Sequence, residues 1–228
     1  MGGLQKTSLI DYPDKIAAVV WTVGCNFRCP FCYNPELVKN NKDLIPEEQV
    51  FSFLEERKEL VEGVSISGGE PFLQTDLKDF VKKIKDMGYL VKVDTNGTYP
   101  DKLKELLEED LLDYVAMDVK APKDKYDKVS GVKTDITKVD QSIKIIREKA
   151  PDYEFRTTMV PDLLSMEDIV KIGEWLKDSK KFFIQQFKND SNLIDEDFRY
   201  KKTYPKEMLE EALNEVKSFF DCCKVRGR

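Results

Sequence analysis

Six short segments rich in β-branched and aromatic residues recur along the chain: Ile16 to Val23, Gly63 to Ser67, Leu90 to Thr95, Tyr114 to Val119, Glu154 to Val160 and Phe182 to Phe187. Each is followed by a stretch of helical periodicity. This alternation constrains the fold more than any other feature, because strand–helix–strand units cross over with one hand and so build a parallel sheet. The helical stretches carry apolar residues three and four apart, as at Leu77, Phe80, Val81 and Ile84 or at Ile169, Ile172, Trp175 and Leu176, so each covers the sheet with one face. Start and stop signals agree. Thr75-Asp76 precedes one helix, Ser165 with Asp168 forms a capping box, Pro205 opens the last helix and Gly88 closes the helix after the second strand. The expectation is an α/β protein of parallel strands with outer helices, residues 1–228 forming one domain; six units are fewer than the eight of a closed barrel.

Composition narrows the function. With 43 acidic against 37 basic side chains the formal charge is −6, and no basic stripe is present, so no nucleic-acid partner is expected. No apolar run approaches the ~18 residues of a membrane span, and the opening MGGLQKTSLIDYPDK lacks the apolar region of a signal peptide. A cytoplasmic protein without a membrane partner is expected. The absence of histidine excludes Ser-His and Cys-His catalysis, His-ligated zinc and His-ligated haem together. Any metal must be held by Cys, Asp or Glu. Five cysteines, an odd number, favour thiolate chemistry over a complete disulfide framework.

Two stretches break the strand–helix rhythm. The connection between the first and second strands exceeds the roughly 30 residues of a plain βαβ unit. It begins with Gly24-Cys25-Asn26-Phe27-Arg28-Cys29-Pro30-Phe31-Cys32, a C-x3-C-x2-C spacing, where strand C-termini and loops bind ligands. Structural zinc asks for four ligands, and no fourth Cys or His stands at matching spacing. A 4Fe-4S cluster bound by three thiolates, with one iron open, fits the count; buried structural cysteines and a zinc site completed by Asp or Glu are the alternatives on spacing alone. At the end of the second strand, Ser67-Gly68-Gly69-Glu70-Pro71 offers backbone that a ligand can approach and a carboxylate acceptor for an ammonium, or, more plainly, a tight turn into Pro71. The polar stretch Asn189 to Tyr204 reads as a surface excursion. Cys222 and Cys223 read as incidental thiols of a mobile tail.

The Cys25, Cys29, Phe31 and Cys32 pattern resembles the radical S-adenosylmethionine superfamily, and Gly68-Gly69-Glu70 resembles that family's Gly-Gly-Glu motif. The chain is most similar to the activating enzymes of glycyl-radical proteins, especially the anaerobic ribonucleotide reductase activating type. Gly3 to Pro13 (GLQKTSLIDYP), Cys32-Tyr33-Asn34-Pro35, Asp94-Thr95-Asn96-Gly97 and Asp118-Val119-Lys120 carry this likeness, which covers nearly the whole chain.

The resemblance implies an open (β/α)6 partial barrel with a 4Fe-4S cluster on Cys25, Cys29 and Cys32 and S-adenosylmethionine at its top. It implies that Gly68, Gly69 and the Glu70 region hold the cofactor's amino group. Asp94, Asp118 and Lys120 would surround its methionyl carboxylate and ribose, the two aspartates being also candidates for a small cation. Gln185 or Gln186 stands where some relatives place a histidine, and Tyr33 where many do. The implied reaction is reductive cleavage of S-adenosylmethionine and formation of a glycyl radical on a partner enzyme, with a flavodoxin or ferredoxin as reductant. No acid or base catalyst beyond cluster and cofactor is required. The alternatives are a radical enzyme acting on a small molecule, of the deazapurine-precursor type, and a non-catalytic metal-binding regulatory module.

Overall fold

The runs of β-branched residues form strands because their stiff side chains suit a pleated, packed surface. A computed structural model describes residues 1–190 and 192–227. Its strands are β1 (Gly3–Ser8), β2 (Ala17–Thr22), β3 (Gly63–Gly68), β4 (Leu90–Thr95), β5 (Tyr114–Asp118), β6 (Asp152–Met159), β7 (Ser179–Gln186) and β8 (Phe220–Arg226). The helices are α1 (Pro35–Val38), α2 (Glu47–Glu56), α3 (Leu77–Asp86), α4 (Pro100–Glu108), α5 (Tyr126–Ser130), α6 (Ile136–Lys149), α7 (Met166–Leu176) and α8 (Lys206–Val216).

All eight strands join one sheet in the order β1 to β8. β1 runs antiparallel to β2, and every later pair is parallel. Strands laid down in sequence order with crossovers of one hand keep the helices on one face, and the sheet curls with its other face inward. β1 and β8 remain at opposite ends, so the barrel is open.

Alternation along the strands sorts the side chains. Val64, Ile66, Val91, Val93, Val115, Met117, Phe155 and Ile184 face the helices and are fully buried. The intervening Lys92, Asp94, Tyr114, Glu154 and Arg156 line a polar interior, floored by Tyr12 against Tyr114 with ring centroids 6.0 Å apart. Helix ends follow their signals: Ser165 and Asp168 make a complete capping box, Pro205 precedes α8, and Gly88 follows α3 at φ +90°. Asp76 stands at the N-cap of α3 without a side-chain cap bond.

The six expected strands gain two at the edges. β1 (GLQKTS) has no continuous apolar face and depends on its pairing to β2. β8 corrects the expectation of a mobile tail, because Cys222 and Cys223 sit in register opposite Lys181 and Phe182 of β7. An edge strand with one ladder and little buried surface leaves weak apolar patterning in sequence. Among the described residues no helix is long and apolar enough to cross a membrane.

Candidate active site

The C-terminal ends of the parallel strands converge on one cavity of ≈ 390 Å³. Its wall at β2 and β3 is set by backbone approach. Gly24, at φ +82°, receives the Glu70 amide on its carbonyl at 2.9 Å, while the Gly69 amide donates to Thr22 O at 3.1 Å. A Cβ on Gly69 would stand 1.9 Å from Gly24 O, and one on Gly68, whose φ is +120°, 2.4 Å from Thr22 O. Only glycine fits either position, and the loop after β2 is thereby pressed against the end of β3.

Cys25, Cys29 and Cys32 all line this cavity. The Cys32 amide donates to Cys29 O at 3.1 Å, and the Phe27 amide points at Cys25 Sγ at 3.4 Å. Burial pushes the Cys25 thiol up to about 11 and the Cys29 thiol up to about 12, and raises Cys32 as well. The Lys120 ammonium opposes this at all three. Buried thiols ionise readily only when a cationic centre joins them, and an all-sulfur donor set is soft. Among the described residues no three Cys, Asp or Glu side chains gather as ligands of one ion. Three thiols bordering one cavity, with no fourth Cys or His beside them in sequence, are the donor set of an iron–sulfur cluster that leaves one iron open.

The wall at β4, β5 and β6 is set by charge. Asp94 pairs with Lys92 and lies 3.6 Å from Arg156 Nη1. Asp118 accepts from Arg156 Nε at 3.2 Å and Nη2 at 3.3 Å, with Lys120 Nζ at 3.4 Å. Burial alone would raise both carboxyls, but Arg156 first, then Lys92 at Asp94 and Lys120 at Asp118, holds them below their ordinary value. Behind Arg156, the buried Glu154 accepts from Arg226 at 2.6 and 2.9 Å and from Tyr114 Oη at 2.8 Å.

Glu70 joins the two walls. Its carboxylate, 1% exposed, accepts from Thr95 Oγ1 at 2.8 Å, the Asn96 amide at 2.7 Å and the Phe72 amide at 3.2 Å. Burial nevertheless pushes it up to about 7. With the chain's own donors on both carboxylate oxygens, Glu70 is foremost a tie between the ends of β3 and β4.

All ten residues expected at the site, Cys25, Cys29, Cys32, Gly68, Gly69, Glu70, Asp94, Asp118, Lys120 and Gln185, line the one cavity. Gln186 does not; its side chain turns to Phe187 O at 3.2 Å. Tyr33 reaches the cavity edge, stacks on Phe187 with centroids 6.3 Å apart, and accepts the Lys188 amide on its hydroxyl at 2.8 Å. Sequence reasoning missed Arg156 and Thr158, and its one signal was polar residues at every second position of β6, Glu154, Arg156 and Thr158.

The "Radical SAM superfamily" model matches residues 19–179. The chain belongs to the radical S-adenosylmethionine superfamily. The cofactors of this radical SAM protein are a 4Fe-4S cluster and S-adenosylmethionine, and it is an enzyme of the oxidoreductase type. It is 36% identical, over 99% of its length and 95% of the relative's, to a Methanocaldococcus jannaschii protein named "putative glycyl-radical enzyme activating enzyme". It is 30% identical, over 76% of its length and 74% of the relative's, to the pyruvate formate-lyase-activating enzyme of Clostridium pasteurianum. Within the superfamily the chain therefore falls with the glycyl-radical enzyme activating enzymes. The crystal structure of Streptococcus suis SuiB bound to S-adenosylmethionine shares the fold with a TM-score of 0.69 at 17% identity, over 92% of this chain and 50% of that one.

Proposed function

We propose that this radical SAM protein activates a glycyl-radical enzyme, most specifically an anaerobic ribonucleotide reductase, and works in the cytoplasm as a single domain spanning residues 1–228. One observation carries the reading: three thiols, the Gly68-Gly69 strand end and the Asp94, Asp118 and Lys120 side chains border one cavity. Cys25, Cys29 and Cys32 would hold the 4Fe-4S cluster. Together, cluster and S-adenosylmethionine supply one-electron cleavage of the sulfonium and a carbon radical able to take a hydrogen atom from a partner's glycine.

The protein's residues bind and orient. Gly68 and Gly69 border the cavity with backbone alone, the room their missing Cβ atoms leave being taken by Thr22 and Gly24, and their backbone carbonyls would accept from the cofactor's amino group. Lys120 offers a cation to a carboxylate, and Asp94 and Asp118 offer acceptors to hydroxyls without having to be deprotonated first. Gln185 adds a neutral amide on the β7 side. The half-open barrel leaves a route for a partner's loop, and a low-potential flavodoxin or ferredoxin would deliver the electron.

The test is anaerobic reconstitution with iron and sulfide, reduction by dithionite, addition of S-adenosylmethionine, and chromatography for 5'-deoxyadenosine and methionine. Both products are expected; adding the reductase should then give the electron paramagnetic resonance doublet of a glycyl radical. Cleavage without that doublet on any glycyl-radical partner would refute the activating role while leaving the radical chemistry standing.

A further inference from the structure

Among the described residues Lys92 is the only lysine buried in the protein, 2% exposed, while the others are wholly or partly exposed. It stands in β4 two positions before Asp94, on the same lumen-facing side, in register with Ser65 of β3 and Tyr114 of β5. Its ammonium donates to Ser65 Oγ at 3.3 Å and to Asp94 Oδ1. A buried ammonium loses its hydration, and an apolar side chain in the same place would not. A lysine at this position therefore calls for a use.

That use follows from how the two aspartates of the cavity are held. Asp118 has both oxygens engaged, Oδ1 by Arg156 Nε and Oδ2 by Arg156 Nη2 and Lys120. Asp94 differs: Lys92 donates to Oδ1, Arg156 comes nearest to the same oxygen, and no hydrogen bond from the described residues ends on Oδ2. Asp94 borders the cavity and Lys92 does not, so the ammonium lies behind the carboxylate and leaves the second oxygen to a ligand. The charges of this wall can be counted. Glu154 is matched by Arg226, which sets Asp94 and Asp118 against Lys92, Arg156 and Lys120. One positive charge is left over, and the carboxylate of a bound amino-acid group would neutralise it. The other carboxylates bordering the cavity, Glu70 and Asp11, take hydroxyl and amide donors. Without Lys92 the wall would have no surplus, and a bound carboxylate would call for a cation from solution. Among the described residues Asp94 and Asp118 find no third acidic or thiol ligand with which to hold one.

We propose that Lys92 is the fixed counter-cation of the cofactor site: a positioning residue whose ammonium sets Asp94 from behind and supplies the charge that a potassium or sodium ion would otherwise bring. The inference rests on the cofactor site assigned above. It settles the choice left by the two aspartates, which would face the cofactor's hydroxyls and leave the small cation out. Potassium equals an ammonium head in charge and is close to it in size, so removing the lysine should open a place for that ion beside Ser65 and Asp94.

The test compares the unmodified protein with Lys92→Ala after desalting into potassium chloride or into tetramethylammonium chloride, whose cation is too large for that place. Affinity for S-adenosylmethionine is measured by calorimetry with the cluster oxidised, so that nothing is cleaved. The unmodified protein should bind within about twofold in the two salts, and so should Lys82→Ala, whose lysine is exposed on α3. Lys92→Ala should bind about tenfold more weakly in tetramethylammonium and regain most of this in potassium. A tenfold gain of the unmodified protein in potassium would show that the site takes its cation from solution, and overturns the proposal. So does a variant that binds normally in tetramethylammonium, or one equally weakened in both salts, where Lys92 would act through packing alone. Should Lys92→Ala not fold, Lys92→Gln, which keeps a donor without the charge, takes its place. Urea unfolding of the same chains without cluster or cofactor separates this inference from the reading it rests on: potassium should raise the midpoint of the variant well beyond any shift in the unmodified protein. S-adenosylmethionine that bound the unmodified protein in neither salt would count against the proposed function, and the unfolding comparison would still decide the role of Lys92.

Discussion

The two walls of the cavity are held in different ways. At β2 and β3 the backbone does the work, since Gly69 touches Gly24 and Gly68 touches Thr22 at distances no side chain tolerates. At β4 to β6 the packing is ordinary and the restraint is charge: Asp94, Asp118 and Glu154 are arrayed around Arg156. The first wall presents thiols whose ionisation burial opposes, the second carboxylates whose ionisation their neighbours favour. A site built this way keeps the metal-binding side responsive to the metal and the cofactor-binding side formed in advance.

The largest effects should come from the glycine and thiol wall. Cys25→Ala is expected to lose all reconstituted iron and all cleavage, whereas Cys222→Ser with Cys223→Ser should keep both, as measured by iron and sulfide content. Iron retained without Cys25 would break the ligand assignment; iron lost from the β8 double variant would move part of it to the other end of the sheet. Gly69→Ala should cost about 3 kcal/mol or more in denaturant unfolding, because its Cβ meets backbone and not a movable side chain. If that variant unfolds like the unmodified protein, the close approach of the two strand ends does not restrain the site.

On the charged wall, Arg156→Met removes the group shared by Asp94 and Asp118 and leaves Glu154 with Arg226 and Tyr114. Two partly compensated carboxylates in a buried setting should cost about 3 kcal/mol, and Arg156→Lys should restore only part of this because a single ammonium cannot span both. S-adenosylmethionine binding measured by calorimetry should weaken in the same order. Equal stability of all three proteins would show that Lys92 and Lys120 suffice as countercharges.

The same contrast explains what could be read from sequence. The parallel α/β plan and the first wall are written in short contiguous strings, Cys25 to Cys32 and Ser67 to Pro71, whose spacing is nearly their geometry. Asp94, Asp118 and Lys120 were legible through family likeness, because strand ends meet at a site. Arg156 was not. Its partner Asp118 lies 38 residues away, and Glu154 meets Arg226 across 72, so nothing local marks either pair. The edge strands were hidden for a related reason: β1 and β8 are fixed by a neighbour's ladder and little by their own apolar pattern.

The smallest effect tests the residue that joins the walls. Glu70 titrates at about 7 in the folded protein against an ordinary 4.5, burial being the cause, so between these values the folded state binds a proton that the unfolded state has lost. Stability then falls as pH rises from about 4.5 to about 7 and levels off above, by a few kcal/mol at most. Asp94 and Asp118 have the opposite sign: their lowered values add stability that is complete above 3.8 and is lost on acidification below it. Denaturant unfolding of the unmodified protein and of Glu70→Gln between pH 5 and 8 separates the two, since only the unmodified protein should lose stability across the lower part of that range. At pH 5 the variant itself should be weaker by about 1–3 kcal/mol, because an amide nitrogen must face one of the Asn96 and Phe72 amides, and the gap should close as the pH rises toward 7. Parallel pH curves would mean that the Thr95, Asn96 and Phe72 donors outweigh burial, keep Glu70 ionised throughout, and place it with the charged wall after all.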